Sequence, residues 1–345
     1  MTNEQDQPQP GACGDNTTDS PRRLPGATRV AVTGGAGFIG SRVVARLLRT
    51  GSRVQVIDDL STGNIGQLRE AMALGLSDSD IHVADVRSRD CTAVIAEWHP
   101  DVVVHLAAQA SLPAALRSPL VDADINIRGS VNVLEACTRA DVGLVVFAAS
   151  AAIYGQVRPD CLPVTEQTPI TPSSPYGLSK ATALRYLDLF ERHRGLAYVA
   201  LAIGNVYGPR QIGANSGVIP RIATAVVQGR PPHISGDGQQ TRDFVYVTDV
   251  AEAVVSACTG RGRGLINISS GQEASIKEVF DAVCTVAGTA MAPRFVPAVP
   301  GDARRMVMEI SRARTVLDWQ PKVGLADGIA AVVRDAQTPR AEVAV

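Results

Sequence analysis

The stretch TGGAGFIGSRVV, Thr33 to Val44, decides the fold. It sets Gly34, Gly37 and Gly40 three residues apart. Glycine weakens strands and helices alike, so this spacing needs a backbone that must approach something closely. The run before it, RVAVTG, reads as a buried strand, and the run after it, FIGSRVVARLLRTG, reads as a helix that stops at Gly51. Between strand and helix, the glycines allow a tight turn, contact of backbone N–H groups with a diphosphate, and close helix–strand packing. The helix N-terminus adds its positive dipole end. Eighteen residues past Gly40, a second strand, RVQVID, ends in Asp58. A carboxylate there accepts hydrogen bonds from the ribose hydroxyls of an adenosine and repels a 2′-phosphate, which favours NAD over NADP.

The pattern repeats outward from this unit. Short valine-rich runs alternate with helical segments as far as LAYVALAIGN. Continuous apolar strands between amphipathic helices imply α/β architecture, with a parallel sheet covered on both faces. We expect a Rossmann-type, doubly wound NAD-binding domain over residues 28–205. Past Asn205, Pro and Gly punctuate the chain and helices look fewer. Residues 206–345 read mainly as a smaller substrate-binding lobe at the carboxyl edge of the sheet, with some chain exchange between the two. The first 27 residues lack an apolar signal region and read as a disordered tail.

Composition narrows the partners. A formal net charge of −1 over 345 residues gives no broad basic field for nucleic acid or anionic membrane. No run is long enough to span a membrane. The six cysteines form no CxxC pair and show no metal spacing, which fits thiols in a reducing cytoplasm and no metal site.

Chemistry enters at SPYGLSKATALRYL. Tyr176 and Lys180 lie four apart and share a helix face. A lysine ammonium near a phenol is expected to lower the phenol pKa, so that it takes a proton from an alcohol while hydride leaves the same carbon. Ser150 ends the strand VVFAAS at the carboxyl edge, where its hydroxyl can bridge the substrate oxygen and Tyr176.

TGGAGFIG, HLAAQAS, AASAAIYG, SPYGLSK, GNVYGPRQ and GDGQQTRDFVYVTDVAEA occur in this order. With them, residues 28 to 335 resemble the extended short-chain dehydrogenase/reductase family, and within it the nucleotide-sugar 4-epimerases of the UDP-glucose 4-epimerase type. The resemblance implies tightly bound NAD. Gly34, Gly37, Phe38, Ile39 and Gly40 would line the pyrophosphate; Asp58, Asp59 and Ser61 would hold the adenosine ribose and its surroundings. Asp85 and Val86 would contact adenine. Leu106, Ala107, Ala108 and Gln109 would surround the nicotinamide half, with Asn126 on the cofactor side. Ser150, Tyr176 and Lys180 would form the catalytic triad, the last two also holding the cofactor. Ser150, Asn205, Arg242 and Asp302 would bind a UDP-sugar, the arginine pairing with its diphosphate. The implied reaction inverts C4 of a UDP-hexose through a transient 4-keto sugar.

Departures from the family pattern bear on the substrate. Val299 and Ala202 stand where arginines are common, and Met306 stands at a position often aromatic that gates the sugar pocket. Either Arg304 or Arg305 is expected to substitute as a diphosphate clamp, or the nucleotide sits differently. Ala151 and Ala152 replace the acidic residues that dehydratases and decarboxylases of the family need. The alternatives are a UDP-glucuronate 4-epimerase, with Arg210 or Arg304 on the carboxylate, and a net 4-ketoreductase. Family members usually dimerise through two helices, here around 117–139 and 174–194. The stripe Ala183, Leu184, Leu187 fits that interface and fits core packing equally.

Overall fold

The computed structural model describes residues 28–211, 216–298 and 303–338. The glycine-rich stretch forms the turn from strand β1 (Arg29–Thr33) into helix α1 (Phe38–Arg49). The alternation then continues through β2 (Arg53–Asp58), α2 (Arg69–Ala73), β3 (Ile81–Val83), α3 (Arg89–Trp98) and β4 (Val102–His105). Helices α4 (Leu112–Arg117), α5 (Pro119–Ala123) and α6 (Gly129–Arg139) follow, with a π-helical turn, Asp124–Arg128, between the last two. The unit closes with β5 (Leu144–Ser150), α7 (Pro175–Arg194) and β6 (Tyr198–Ile203).

All pairings in the main sheet are parallel, and its seven strands run β10-β6-β5-β4-β1-β2-β3. The seventh, β10 (Gly264–Ile268), returns from far along the chain to pair with β6. Alternate residues feed two cores. Val30 and Val32 of β1 face α1 and α9 (Val247–Ala257), whereas Ala31 faces the side covered by α3, α6 and α7. The sheet order reverses at β1/β4, which opens a crevice at its carboxyl edge.

The remaining chain builds a second core. Strand β7 (Asn205–Tyr207) pairs in parallel with β9 (Thr241–Tyr246), which pairs antiparallel with β11 (Glu273–Ser275). Strands β8 (His233–Ser235) and β12 (Arg294–Val296) form a separate pair. Helices α8 (Val218–Val227), α10 (Ile276–Ala287) and α12 (Leu325–Gln337) pack around Tyr207 and Phe244, while α11 (Ser311–Leu317) joins the main core. Among the described residues five helices follow Asn205, more than the Pro and Gly spacing suggested. Many of those residues sit at helix ends: Gly217 and Gly324 precede α8 and α12, and Gly288 caps α10 with φ 67°.

Candidate active site

A cleft of about 740 Å³ runs along the carboxyl edge of the main sheet, between it and the smaller lobe. Its floor begins at the glycine turn. A β-carbon on Gly34 would stand 2.6 Å from the Ala107 nitrogen, and Gly34 has φ 71°. The Gly34 amide donates to Ile57 O at 2.8 Å, tying the turn to β2. Gly37 and the first residues of α1, Phe38, Ile39 and Gly40, line the same stretch.

Asp58 ends β2 and is buried. Its Oδ2 accepts from the Ala36 amide and its Oδ1 from the Leu60 amide, both at 2.9 Å. Burial raises its carboxyl pKa, and these two backbone bonds counter the rise. The arrangement fixes the carboxylate beside the turn. Asp59 and Ser61 line the cleft just beyond, joined by the Ser61 hydroxyl to Asp59 Oδ1 at 2.6 Å. Asp85 and Val86 line the end of the cleft past β3. The guanidinium of Arg87 grips both oxygens of Asp85 and reaches Asp124 at 2.5 Å. Arg87 holds the Asp85 carboxyl below its ordinary value.

On the other side of the switch point, Leu106, Ala107, Ala108 and Gln109 follow β4 and line the cleft. Asn126 lies behind this wall, 1% exposed. Its amide oxygen accepts from the Gln109 backbone at 2.9 Å, and its Nδ2 donates to Gln109 O and Ser179 Oγ, each at 3.0 Å. It holds Gln109 in place and does not itself line the cleft.

Ser150, Tyr176 and Lys180 meet in one part of the cleft wall. Ser174 caps α7 by accepting from the Gly177 amide at 3.1 Å, and Pro175 starts the helix, so Tyr176 emerges on its first turn. Lys180 is buried one turn on, its ammonium on Ala148 O at 2.8 Å and 4.8 Å from the centre of the Phe147 ring. Burial lowers its pKa to about 8. The phenol departs from the sequence expectation. Burial raises the Tyr176 pKa, a hydrogen bond from Ser150 counters it, and Asp122 adds to the rise; the Lys180 ammonium is directed at Ala148 O.

Asn205 and Arg242 line the lobe side of the cleft. The Arg242 side chain donates to Thr241 O at 2.7 Å. Asp243, next to it, is buried. It accepts from the amides of Ser270, Gly271 and Met308 at 2.8, 3.1 and 3.1 Å. Asp302 and Val299 lie outside the described residues. Arg304 is paired with Asp237 at 2.7 and 2.9 Å, and Arg305 with Glu273. Neither lines the cleft, so the expected replacement for the missing arginine clamp is not there; the same holds for Arg210. Ala151, Ala152 and buried Met306 do line it. Sequence reasoning missed Ser173, Ser174 and Gln211 in the lining. The Ser-Pro pair at the head of α7 was a legible cap signal for Ser174.

No cluster of His, Cys, Asp and Glu among the described residues can hold a metal, and no helix among them is long and apolar enough to cross a membrane. The residues present do fit NAD: a turn too tight for side chains under a helix N-terminus, an acidic residue at the end of the second strand, and a long cleft between them and a Tyr–Lys pair.

Fold and site together define a dinucleotide-dependent enzyme of the short-chain dehydrogenase/reductase class. The model of the NAD dependent epimerase/dehydratase family matches residues 30–269, and the chain belongs to that family. It is 40% identical over 309 residues to a UDP-glucose 4-epimerase of Mycolicibacterium smegmatis, covering 88% of this chain and 97% of that one. A solved UDP-glucose 4-epimerase of Thermotoga maritima with UDP-glucose superposes with a TM-score of 0.84 at 35% identity, over 89% and 98% of the two chains. The Thermus thermophilus enzyme in complex with NAD gives 0.82 at 37%, over 90% and 99%.

Proposed function

We propose that this chain inverts C4 of a UDP-hexose of the UDP-glucose/UDP-galactose type, with or without an N-acetyl group at C2, through a transient 4-keto sugar. The observation that carries the reading is the meeting of Ser150, Tyr176 and Lys180 beside a cleft built for NAD, with alanines at 151 and 152. Gly34, Gly37, Phe38, Ile39 and Gly40 hold the pyrophosphate, Asp58, Asp59 and Ser61 the adenosine ribose, and Asp85 and Val86 the adenine. Leu106, Ala107, Ala108, Gln109, Tyr176 and Lys180 hold the nicotinamide half. NAD, when bound, would supply a two-electron acceptor and donor for the C4 hydride.

The chain does the rest. Ser150 bonds the Tyr176 phenol and favours its phenolate. Tyr176 takes the C4 hydroxyl proton, directly or through Ser150, and later returns it. Lys180 keeps a positive charge next to these groups. Arg242, Asn205 and Asp302 grip the nucleotide, while the hexose turns over against Ala151 and Ala152, whose methyl groups offer it no hydrogen bond. Elimination of water needs a further acid at that wall, and alanine has none. A glucuronate carboxylate finds no hydroxyl there, and Arg210 and Arg304 stand off the cleft.

The protein works as a dimer in the cytoplasm. Leu116, Leu120, Val121 and Leu178 of α4, α5 and α7 are exposed, Leu120 by 81%, which supports pairing through these helices. The stripe Ala183, Leu184, Leu187 is buried in the core and takes no part.

The test is proton NMR of the anomeric region. The purified protein, with no cofactor added, is incubated with UDP-glucose, UDP-N-acetylglucosamine and UDP-glucuronate. Conversion of UDP-glucose or UDP-N-acetylglucosamine to its galacto partner supports the reading and names the sugar; conversion of UDP-glucuronate alone overturns it in favour of the hexuronate. Turnover only of a keto-sugar with supplied NADH or NADPH overturns it in favour of a ketoreductase.

A further inference from the structure

Asp122 of α5 belongs to none of the sequence motifs, yet it is 1% exposed beside the site. Its Oδ1 accepts from Gln109 Nε2 at 2.8 Å and Asn126 Nδ2 at 3.1 Å. Its Oδ2 is buried with no hydrogen-bond partner among the described residues. A buried carboxylate oxygen without a donor is costly and calls for a reason. Lys180 poses the complementary problem. Its ammonium is buried against a neutral carbonyl and a neutral ring, and a buried cation needs an anion in its surroundings. Both belong to one network: Asp122 holds Asn126, and Asn126 holds Ser179, the residue before Lys180.

The other ionisable groups on elements around α7 do not fill this role. Arg117 of α4 is exposed. Asp124 of the π-turn pairs with both Arg128 and Arg87. Glu135 and Arg139 of α6 form an exposed pair. Tyr154 bonds Asn267, and Tyr198 of β6 bonds Asp188 of α7 itself, which also pairs with Arg185. His105 of β4 is held neutral, its pKa lowered to about 3 by burial and then by Lys180. Asp122 is the anion that favours the Lys180 ammonium, and it also opposes the Tyr176 phenolate.

We propose that Asp122 is the buried counter-charge of Lys180, a positioning residue that keeps the ammonium charged and sets the pH window in which Tyr176 and Lys180 work together. The inference rests on the catalytic roles proposed for those two residues. Its sign is specific. Removing the negative charge makes the phenolate easier to form and the ammonium easier to lose. Both limbs of a bell-shaped kcat profile, set by Tyr176 and Lys180 together, then move to lower pH in parallel. A residue that only braced Gln109 would lower kcat and leave the limbs in place.

The chain has three lysines, Lys180, Lys277 and Lys322, so 13C labelling at the lysine ε-carbon gives three NMR signals, assigned with Lys277→Arg and Lys322→Arg. We expect the Lys180 signal of the purified protein to titrate near pH 8, and about 1 pH unit lower in Asp122→Asn. The two limbs of kcat shift acidward in parallel. An unchanged Lys180 titration in a folded variant, or limbs that stay fixed or move apart, overturns the proposal. Asp122→Ser, neutral and smaller, is titrated in the same way should Asp122→Asn not fold. Failure of the epimerase reading shows separately, as a parent protein inactive on every UDP-sugar, while the NMR titration still decides whether the two charges are coupled.

Discussion

A β-carbon at position 40 would stand 2.0 Å from the Gly34 carbonyl oxygen, so the third glycine of the turn is fixed by contact with the first. The neighbour is backbone and cannot swing away. Gly40→Ala must push the head of α1 off β1, at a cost of about 1–3 kcal/mol. The expected outcome is a lower thermal midpoint and protein purified without NAD, read from absorbance at 260 nm after acid release. A variant that keeps both the midpoint and the nucleotide would show that the turn has more slack than its geometry allows.

Tyr176 carries the proton in the proposed reaction. Tyr176→Phe keeps the ring and loses the hydroxyl, and is expected to cut kcat by about 10² to 10⁴ with NAD retention unchanged. Near-full turnover in this variant would remove the central claim of the mechanism.

In the proposed site Asp58 selects NAD over NADP by charge. Asp58→Asn removes the repulsion of a 2′-phosphate and keeps an acceptor for only one of the Ala36 and Leu60 amides, which bond different oxygens of the carboxylate. Discrimination against NADP is expected to fall by about tenfold or more. Titration of nucleotide-free protein with NAD and NADP measures the ratio directly. An unchanged ratio would assign the selection to another group, Asp59 first.

His105 makes stability depend on pH. It is 1% exposed, between Thr33 Oγ1 at 2.7 Å and Ser130 Oγ at 3.0 Å. Its folded pKa of about 3 lies below the ordinary 6.5. Between those values the unfolded chain binds a proton there that the folded chain does not, so stability falls as pH drops from 6.5 toward 3. His105→Asn, which cannot take up that proton, is expected to lose less of its thermal midpoint than the parent between pH 7 and pH 5. Equal slopes in the two proteins would contradict the assignment.

Leu120, the most exposed of the large apolar side chains among the described residues, tests the dimer. Leu120→Glu is expected to sediment as a monomer at micromolar concentration and to fold as the parent does, since the side chain makes no core contact. Sedimentation as a dimer would move the interface elsewhere.

The glycine spacing, the valine-rich runs and the acidic residue after β2 made the sheet and the cofactor half of the site legible, because each answers to a local rule of backbone geometry. Tyr176 and Lys180 were legible for the same reason: four residues on a helix is one turn. Asp122 was not. It also stands four residues before another polar residue, Asn126, but nothing local says that this face is buried or that Lys180 packs over it. The phenol was misjudged on similar grounds. Spacing brings Lys180 near Tyr176, yet the direction of the ammonium is set by Ala148, from a strand 32 residues upstream. The supposed clamps Arg304 and Arg305 failed for want of their partners, Asp237 and Glu273, which no sequence window joins to them.

Strand β10 enters the main sheet only after the chain has built β7, β8 and β9 elsewhere, and α9, just before it, covers the face that α1 shares. A cut after Asn205 would strip the cofactor half of an edge strand and of part of its roof. The two halves therefore cannot be traded as cassettes between relatives. A change of sugar has to be made one side chain at a time along the cleft, at places such as Ala152, and with regard to the core at Ala151 and Met306, which line the cleft and are buried in the packing as well.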